Sequence, residues 1–253
     1  MRAATDRNTA ENQIEGRNAV LEAIRGGAVI DRIYIIEDIK DGPLQTILRE
    51  ADRAKLRVDR LKKDRLDKMS VTGKHQGVIA KIAAFEYAEV DDILRKAEEK
   101  GEKPFVFILD GIEDPHNLGA IIRSANQAGA HGVIIPKNRA CTLTATVAKT
   151  SAGALSFTPV AKVTNINRTM DELKAAGMWF VCADMEGDSM YDLDMSGAIG
   201  LVIGSEGSGV SRLVKENCDM CARIPMYGDI DSLNASVAAG IMGFEIARQR
   251  HAK

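Results

Sequence analysis

IGLVIGSEGSG, residues 199–209, runs a short apolar stretch straight into a loop of three glycines around one carboxylate. A brief apolar run bounded by glycine reads as a strand buried on both faces, the kind that a parallel sheet requires. The same change from apolar strand to small polar residues occurs at FVFILDGIEDPHN (105–117) and at ARIPMYGDIDSLN (222–234). In an open parallel α/β sheet such strand ends build the ligand crevice, because their backbone groups are free and the next helix presents unpaired N–H groups. DPHNLGAIIRSA (114–125), GSEGSG (204–209) and IPMYGDIDSLNASVA (224–238) therefore read as three parts of one site.

Working outward from these segments, short apolar strands alternate with helical patterns from Pro104 onward. Strands are expected at 105–109, 132–135, 178–183 and 199–203, with helices at 118–128, 165–176 and 234–250. That alternation predicts a mostly parallel sheet with helices on both faces. Ahead of it lies a smaller α/β pattern: a helix over 14–24, a strand at 32–36, a helix over 44–55, a basic helix over 61–69 and a strand at 77–83. The expected division is an N-terminal α/β domain at 13–85, a linker at 86–103 whose charged stretch 88–101 suits a connecting helix, and a larger domain at 104–253.

The formal charge of −2 excludes a protein that coats nucleic acid by bulk charge alone. Charge is local instead: residues 49–81 hold 11 Lys and Arg against 5 Asp and Glu. Four cysteines with no secretory leader suggest a reducing, cytoplasmic setting without disulfides. Cys218-Asp-Met-Cys221 has zinc-knuckle spacing but lacks a second ligand pair, so no metal is expected. No apolar stretch reaches the roughly 20 residues that span a bilayer, so no membrane partner is expected.

Each segment also has a plain reading. Asn117 can be a helix N-cap and Arg123 an ion-pair partner of Glu113 or Asp114; Ser232 can cap the last helix. The glycine spacing at 204–209 does not fit a dinucleotide fingerprint, which argues against a nucleotide-dependent oxidoreductase. The basic stretch can be a solvated helix face with pairs such as Asp59 to Lys63.

Together the three segments resemble, in order and in full, the motifs of SpoU-type (TrmH-like) RNA ribose 2′-O-methyltransferases of the SPOUT superfamily. The runs IEGRNAV (14–20) and HQG (75–77) resemble the substrate-binding domain of the 23S rRNA guanosine-2′-O-methyltransferases in that family. The resemblance implies a C-terminal parallel-sheet domain with a deep trefoil knot, a small N-terminal α/β RNA-binding domain, S-adenosylmethionine as methyl donor, ribosomal RNA as partner and a homodimer. It also implies that Gly204, Ile224 and Leu233 seat the adenosyl part through backbone contacts. Asn117, Arg123, Glu206, Ser232 and Asn234 fall on the family's catalytic positions.

In the family pattern Arg123 is the base that takes the ribose proton. An arginine that stays charged and grips the substrate phosphate through its planar fork fits equally. Asn117 would orient the ribose or Arg123, Glu206 would anchor the cofactor-side loop, and Ser232 with Asn234 would hold the ribose-phosphate. With only 4% aromatic residues, RNA contact should rest on charge and shape. Arg49, Arg53, Lys55, Arg57, Arg60, Lys62, Lys63, Arg65 and Lys68 supply that patch, extended by Arg17 and Lys74. A tRNA methyltransferase of the same family and a noncatalytic RNA-binding or ribosome-assembly protein are the alternatives.

Overall fold

Valine- and isoleucine-rich runs at the two ends of residues 30–82 pair with each other as antiparallel strands. The computed structural model describes residues 13–252 except 27, 29, 39–41, 83–84 and 230–231. Within the described residues the chain forms two compact units. One comprises the chain through Glu86 together with Thr142–Ala145, and the other Tyr87–Cys141 and Thr146 onward.

The first unit holds a four-stranded sheet of β1 (Gln13–Glu15), β2 (Ile30–Ile36), β3 (Val58–Leu61) and β4 (Val78–Ile82), in the order β1-β4-β2-β3. β4 runs antiparallel to β1 and β2, and β3 runs parallel to β2. Its helices are α1 (Arg17–Arg25), α2 (Gly42–Arg53) and α3 (Lys63–Met69). Val20, Ile33, Ile35, Leu44, Ile47 and Val78 form its core.

Two expectations are corrected here. Ile14 belongs to β1, opposite Ala80, because Gly16 at φ 94° breaks the path and the helix starts only at Arg17. Leu61 ends β3, opposite Ile36, so the basic segment is a strand followed by a shorter helix. Charged Asp59 and Arg60 on an exposed edge strand conceal the strand pattern in VDRL.

Glu15, at the end of β1, organises the loop that precedes β4. Its carboxylate accepts from Ser70 Oγ and Val71 N, both at 2.6 Å, and from Thr72 Oγ1. Burial works to raise its pKa, but the donors of Ser70, Thr72, Val71 and Gln13 outweigh that and hold it at about 2. The folded value lies below the ordinary 4.5. The stabilisation is therefore complete above that value and fades as pH falls from there toward 2. Glu15→Ala is expected to cost about 1–2 kcal/mol after solvent screening. Urea unfolding should show that difference at pH 7 and its disappearance near pH 2.5, a value chosen at about the low end of the window.

In the second unit β5 (Phe105–Asp110), β6 (Gly132–Pro136), β7 (Val160–Val163), β8 (Trp179–Ser189), β9 (Ile199–Gly204) and β10 (Met220–Arg223) form one sheet ordered β10-β8-β9-β5-β6-β7. Every pairing in it is parallel. The helices are α4 (Val90–Glu99), α5 (Pro115–Gln127), α6 (Ala145–Thr150), α7 (Ile166–Ala175), α8 (Arg212–Glu216) and α9 (Ala235–His251). The stretch expected as a charged connecting helix carries α4, whose Ile93 and Ala97 share one face and are buried, with Ile93 in this unit's own core. β8 runs on to Ser189, well beyond its expected end, because β10 pairs with it across a register shift between Cys221 and Ala222. Among the described residues no helix is long and apolar enough to cross a membrane.

Strand order reverses beside β5. The chain proceeds outward through β6 and β7 on one side, and later places β9 on the other, with Asp110 opposite Gly204 at the two carboxyl ends. This is the switch point at which open α/β sheets bind ligands.

Candidate active site

Two of the three loops leave the sheet at that switch point. After β5, Asp114 caps α5 by accepting from His116 N at 2.7 Å, with Pro115 in the first turn. Asn117 is thus not the cap, and its amide is free to point elsewhere. After β9, the Ser205–Gly209 turn closes on itself through two backbone hydrogen bonds of 3.0 Å. Asp110 Oδ2 accepts from Ser211 N at 2.8 Å and ties the exit of that turn to the end of β5. The turn folds so tightly over Gly204 that a Cβ there would lie 2.0 Å from the carbonyl carbon of Gly209.

The third loop enters α9 through Asn234, which corrects the expectation of Ser232 as cap. Asn234 Oδ1 accepts from Ser236 N at 2.9 Å, Ser236 Oγ at 2.6 Å and Val237 N at 3.3 Å. With its oxygen committed to the helix end, its Nδ2 must face outward. It donates to Asn117 Oδ1 at 3.0 Å and to Glu206 Oε1. Asn117 Nδ2 donates to the same Glu206 oxygen at 2.9 Å. Residues 117, 206 and 234, from the first turn of α5, the turn after β9 and the cap of α9, form one closed cluster in which each amide orientation is set by its neighbours. Ser236 and Asp110 escaped the reading of the sequence. Ser236 lies in the quoted motif, and a serine two residues after an asparagine cap is the available signal.

The cluster stands at the edge of a cavity of about 1090 Å³. Gly204, Ile224 and Leu233 line it, as do Glu206, Ser232 and Asn234. Asp184 and Glu186, on the tail of β8, form another wall. Burial works to raise the pKa of Asp184, but the Lys215 ammonium at 2.8 Å and the Glu186 N–H prevail and leave it below the usual carboxylate range. Lys215 pairs with both carboxylates and its own pKa is raised by them. The volume suits a nucleoside-sized ligand. Glycine backbone at 204, 207 and 209 alternates in its lining with apolar side chains such as Ile224, Leu233 and Met242. The Glu206 carboxylate, beside Asp184 and Glu186 that Lys215 offsets in part, favours a cation. These residues fit S-adenosylmethionine.

Arg123 stands apart from the cluster. It is exposed on α5, six residues beyond Asn117 and so about 120° round the helix, in line with His116. Among the described residues it makes no ion pair, so the anticipated pairing with Glu113 or Asp114 does not form; Asp114 is occupied as the cap.

In the first unit Arg53, Arg60, Lys62, Lys63, Arg65 and Lys74 are exposed, and Arg17 is half-buried. Arg57 is committed elsewhere: its Nε donates to Asp59 at 3.2 Å, and Asp59 also takes Arg32 at 3.2 Å. The anticipated Asp59–Lys63 helix pair does not form, because Asp59 lies on β3 and Lys63 starts α3.

Residues 104–244 match the family described as SpoU rRNA Methylase, and residues 13–88 match the RNA 2′-O ribose methyltransferase substrate-binding family. The chain belongs to the SpoU rRNA Methylase family. A curated relative called "Putative TrmH family tRNA/rRNA methyltransferase YacO", of Bacillus subtilis strain 168, is 47% identical over 237 residues, which cover 93% of this chain and 95% of the relative. Among solved SpoU structures, the methyltransferase AviRb from Streptomyces viridochromogenes with bound AdoMet is 25% identical, with a TM-score of 0.61 over 100% of this chain and 95% of that one. An AdoMet-bound rRNA methyltransferase from Sinorhizobium meliloti is also 25% identical, with a TM-score of 0.59 over 96% of this chain and 88% of that one. This SpoU-family chain is therefore an S-adenosylmethionine-dependent RNA methyltransferase with an α/β fold built on a parallel sheet.

Proposed function

We propose that the protein methylates the ribose 2′-OH of a guanosine in 23S ribosomal RNA. The observation that carries this reading is the Asn117–Glu206–Asn234 cluster at the mouth of the 1090 Å³ cavity. The cofactor supplies a methyl group already activated by a positive sulfur. What remains for the chain is to bring a weak nucleophile into line and to handle its proton. Both N–H groups of Asn234 are spent inside the cluster, whereas Asn117 keeps a further N–H and Glu206 keeps Oε2 for a ribose or for the edge of the cofactor. Gly204, Ile224 and Leu233 seat the adenosyl part, and Ser232 with Asn234 meets the ribose-phosphate beside the start of α9. Arg123, which makes no ion pair among the described residues, grips the substrate phosphate through its planar fork, and water or that phosphate takes the ribose proton.

Ribosomal RNA is favoured by the description of the family matched at 104–244 and by the likeness to the Sinorhizobium meliloti rRNA methyltransferase. Guanosine follows from the likeness of residues 14–20 and 75–77 to the guanosine enzymes. The N-terminal unit carries the RNA contacts through Arg17, Arg53, Arg60, Lys62, Lys63, Arg65 and Lys74. The resemblance further supports a trefoil knot around the cofactor and a homodimer, and the cysteine usage suggests a cytoplasmic location. The dimer has a physical basis in Val237, Ile241 and Phe244, an exposed apolar stripe at i, i+4, i+7 on α9.

The test is transfer of labelled methyl from S-adenosylmethionine to unmodified total RNA, then nuclease digestion and nucleoside analysis. Label in 2′-O-methylguanosine of large-subunit RNA is expected. Label in tRNA would overturn the substrate and keep the chemistry, in keeping with the tRNA/rRNA wording of the relative's name. Absence of label in a protein that binds the cofactor would favour a noncatalytic RNA-binding role.

A further inference from the structure

The first unit has a cavity of its own, about 470 Å³, which methyl transfer does not use. Its volume lies in the range of small-ligand sites, roughly 300–1,000 Å³. Ile36 and Leu44 give it an apolar part, and Arg17, Asp38, Lys63 and Gln76 give it polar groups.

The polar side is built in advance. Glu15 fixes residues 70–72 of the loop, as described above. His75, almost fully buried, shares a hydrogen bond of 2.8 Å between Nε2 and Asp67 Oδ1, and its Nδ1 accepts from Gly77 N at 3.0 Å. That acceptor role places the ring proton on Nε2, so Asp67 is engaged. Arg17 Nε donates to Gln76 O at 3.0 Å and Arg17 N to Gln76 Oε1 at 3.2 Å, which leaves the Gln76 amide N–H groups as donors. The side chains of Lys63 and Asp38 have no hydrogen bond or ion pair among the described residues.

The wall therefore offers the Lys63 ammonium beside the Arg17 guanidinium, the Gln76 amide as a donor and the Asp38 carboxylate as an acceptor, next to an apolar surface. A free phosphate would meet the Asp38 carboxylate, and a purely apolar ligand would leave Lys63 and Asp38 desolvated without partners. A nucleobase answers both demands, with flat apolar faces and an edge of adjacent donors and acceptors. Proteins that read RNA sequence take unpaired bases in this way. We propose that this cavity receives one unpaired nucleotide of the RNA substrate, other than the methylated one. Its base lies against Ile36 and Leu44, and its edge is read between Asp38 and Lys63. The proposal rests on the assignment of the protein as an RNA methyltransferase and not on which RNA it modifies.

Asp38 makes the test decisive through the sign of its effect. If this surface met RNA through charge alone, Asp38→Ala would remove a repulsive carboxylate and tighten binding. A base-edge contact predicts the reverse, a loss of roughly tenfold. The experiment measures binding of the full-length protein to large-subunit RNA and to tRNA at fixed salt for the wild type, Asp38→Ala and Lys63→Ala, and is read on whichever RNA the wild type binds more tightly. S-adenosylmethionine affinity serves as the folding control, since both side chains are exposed or unpartnered and lie outside the methyl-transfer site. In parallel, the four ribonucleoside 5′-monophosphates are titrated while the amides of Gly73, Gln76 and Gly77 are followed by NMR. Weakened RNA binding in both variants, with one monophosphate shifting those amides, is the expected result. Tighter or unchanged binding by Asp38→Ala, or no shift with any of the four, overturns the proposal. Failure of the wild type to methylate ribosomal RNA would strike the functional reading alone, because the cavity is judged by binding.

Discussion

Arg123→Ala is expected to abolish methyl transfer while S-adenosylmethionine affinity stays at the wild-type value. The reason is positional. Arg123 does not line the cofactor cavity, makes no ion pair among the described residues and projects from a helix whose cap and core face are satisfied without it. Its loss should therefore leave the fold intact and remove an interaction made on the RNA side. Loss of a positioned cation or proton-transfer group at a reacting centre lowers turnover by about 10²–10⁴-fold. Single-turnover methylation at saturating cofactor, paired with calorimetric titration of the cofactor, separates the two quantities. Arg123→Lys refines the result, since a lysine keeps the charge and loses the planar two-pronged fork. Rescue by lysine would point to charge alone, whereas a variant as inactive as alanine would point to the fork. A collapse of cofactor binding in Arg123→Ala would contradict its placement on the substrate side.

Gly204→Ala should act in the opposite way, on the cofactor and the fold together. The added methyl would meet Gly209 C at 2.0 Å and Val210 N at 2.1 Å, both of them backbone atoms that cannot swing aside as a side chain tip can. The Ser205–Gly209 turn must open, which breaks its two hydrogen bonds and moves Glu206 out of reach of Asn117 and Asn234. Overpacking of this kind costs about 1–3 kcal/mol or more. The expected outcome is a lower midpoint in thermal unfolding and cofactor affinity reduced by at least about tenfold. Gly197→Ala is the control, because nothing lies within 4 Å of its Cβ position, and it should change neither quantity.

Much of the fold was legible because it is written locally. FVFIL and IGLVIG are buried along their whole length, so their apolar runs report a two-sided environment directly. Errors fell where a neighbour distant in sequence decides the outcome. Ile14 has helical spacing with the residues after it, yet Ala80 draws it into a sheet. VDRL carries two charges and is a strand because Ile36 and Tyr34 lie alongside it. Ser232 has the chemistry of a cap, but Asn234 lies where the helix begins and takes the role.

The sequence by itself determined the alternation of strand and helix, the two-part organisation and the three loops that carry polar chemistry, since periodicity and turn residues act over a few positions. Only the tertiary structure decided that these loops meet. Asn117 and Glu206 are 89 residues apart, and they touch because β5 and β9 pair in parallel with Asp110 opposite Gly204. Asn234 joins them from 28 residues farther on, oriented by the end of the helix it caps. Spacing along a chain carries no record of which strand ends will be neighbours; that is settled by sheet pairing and core burial, which act between residues remote in sequence.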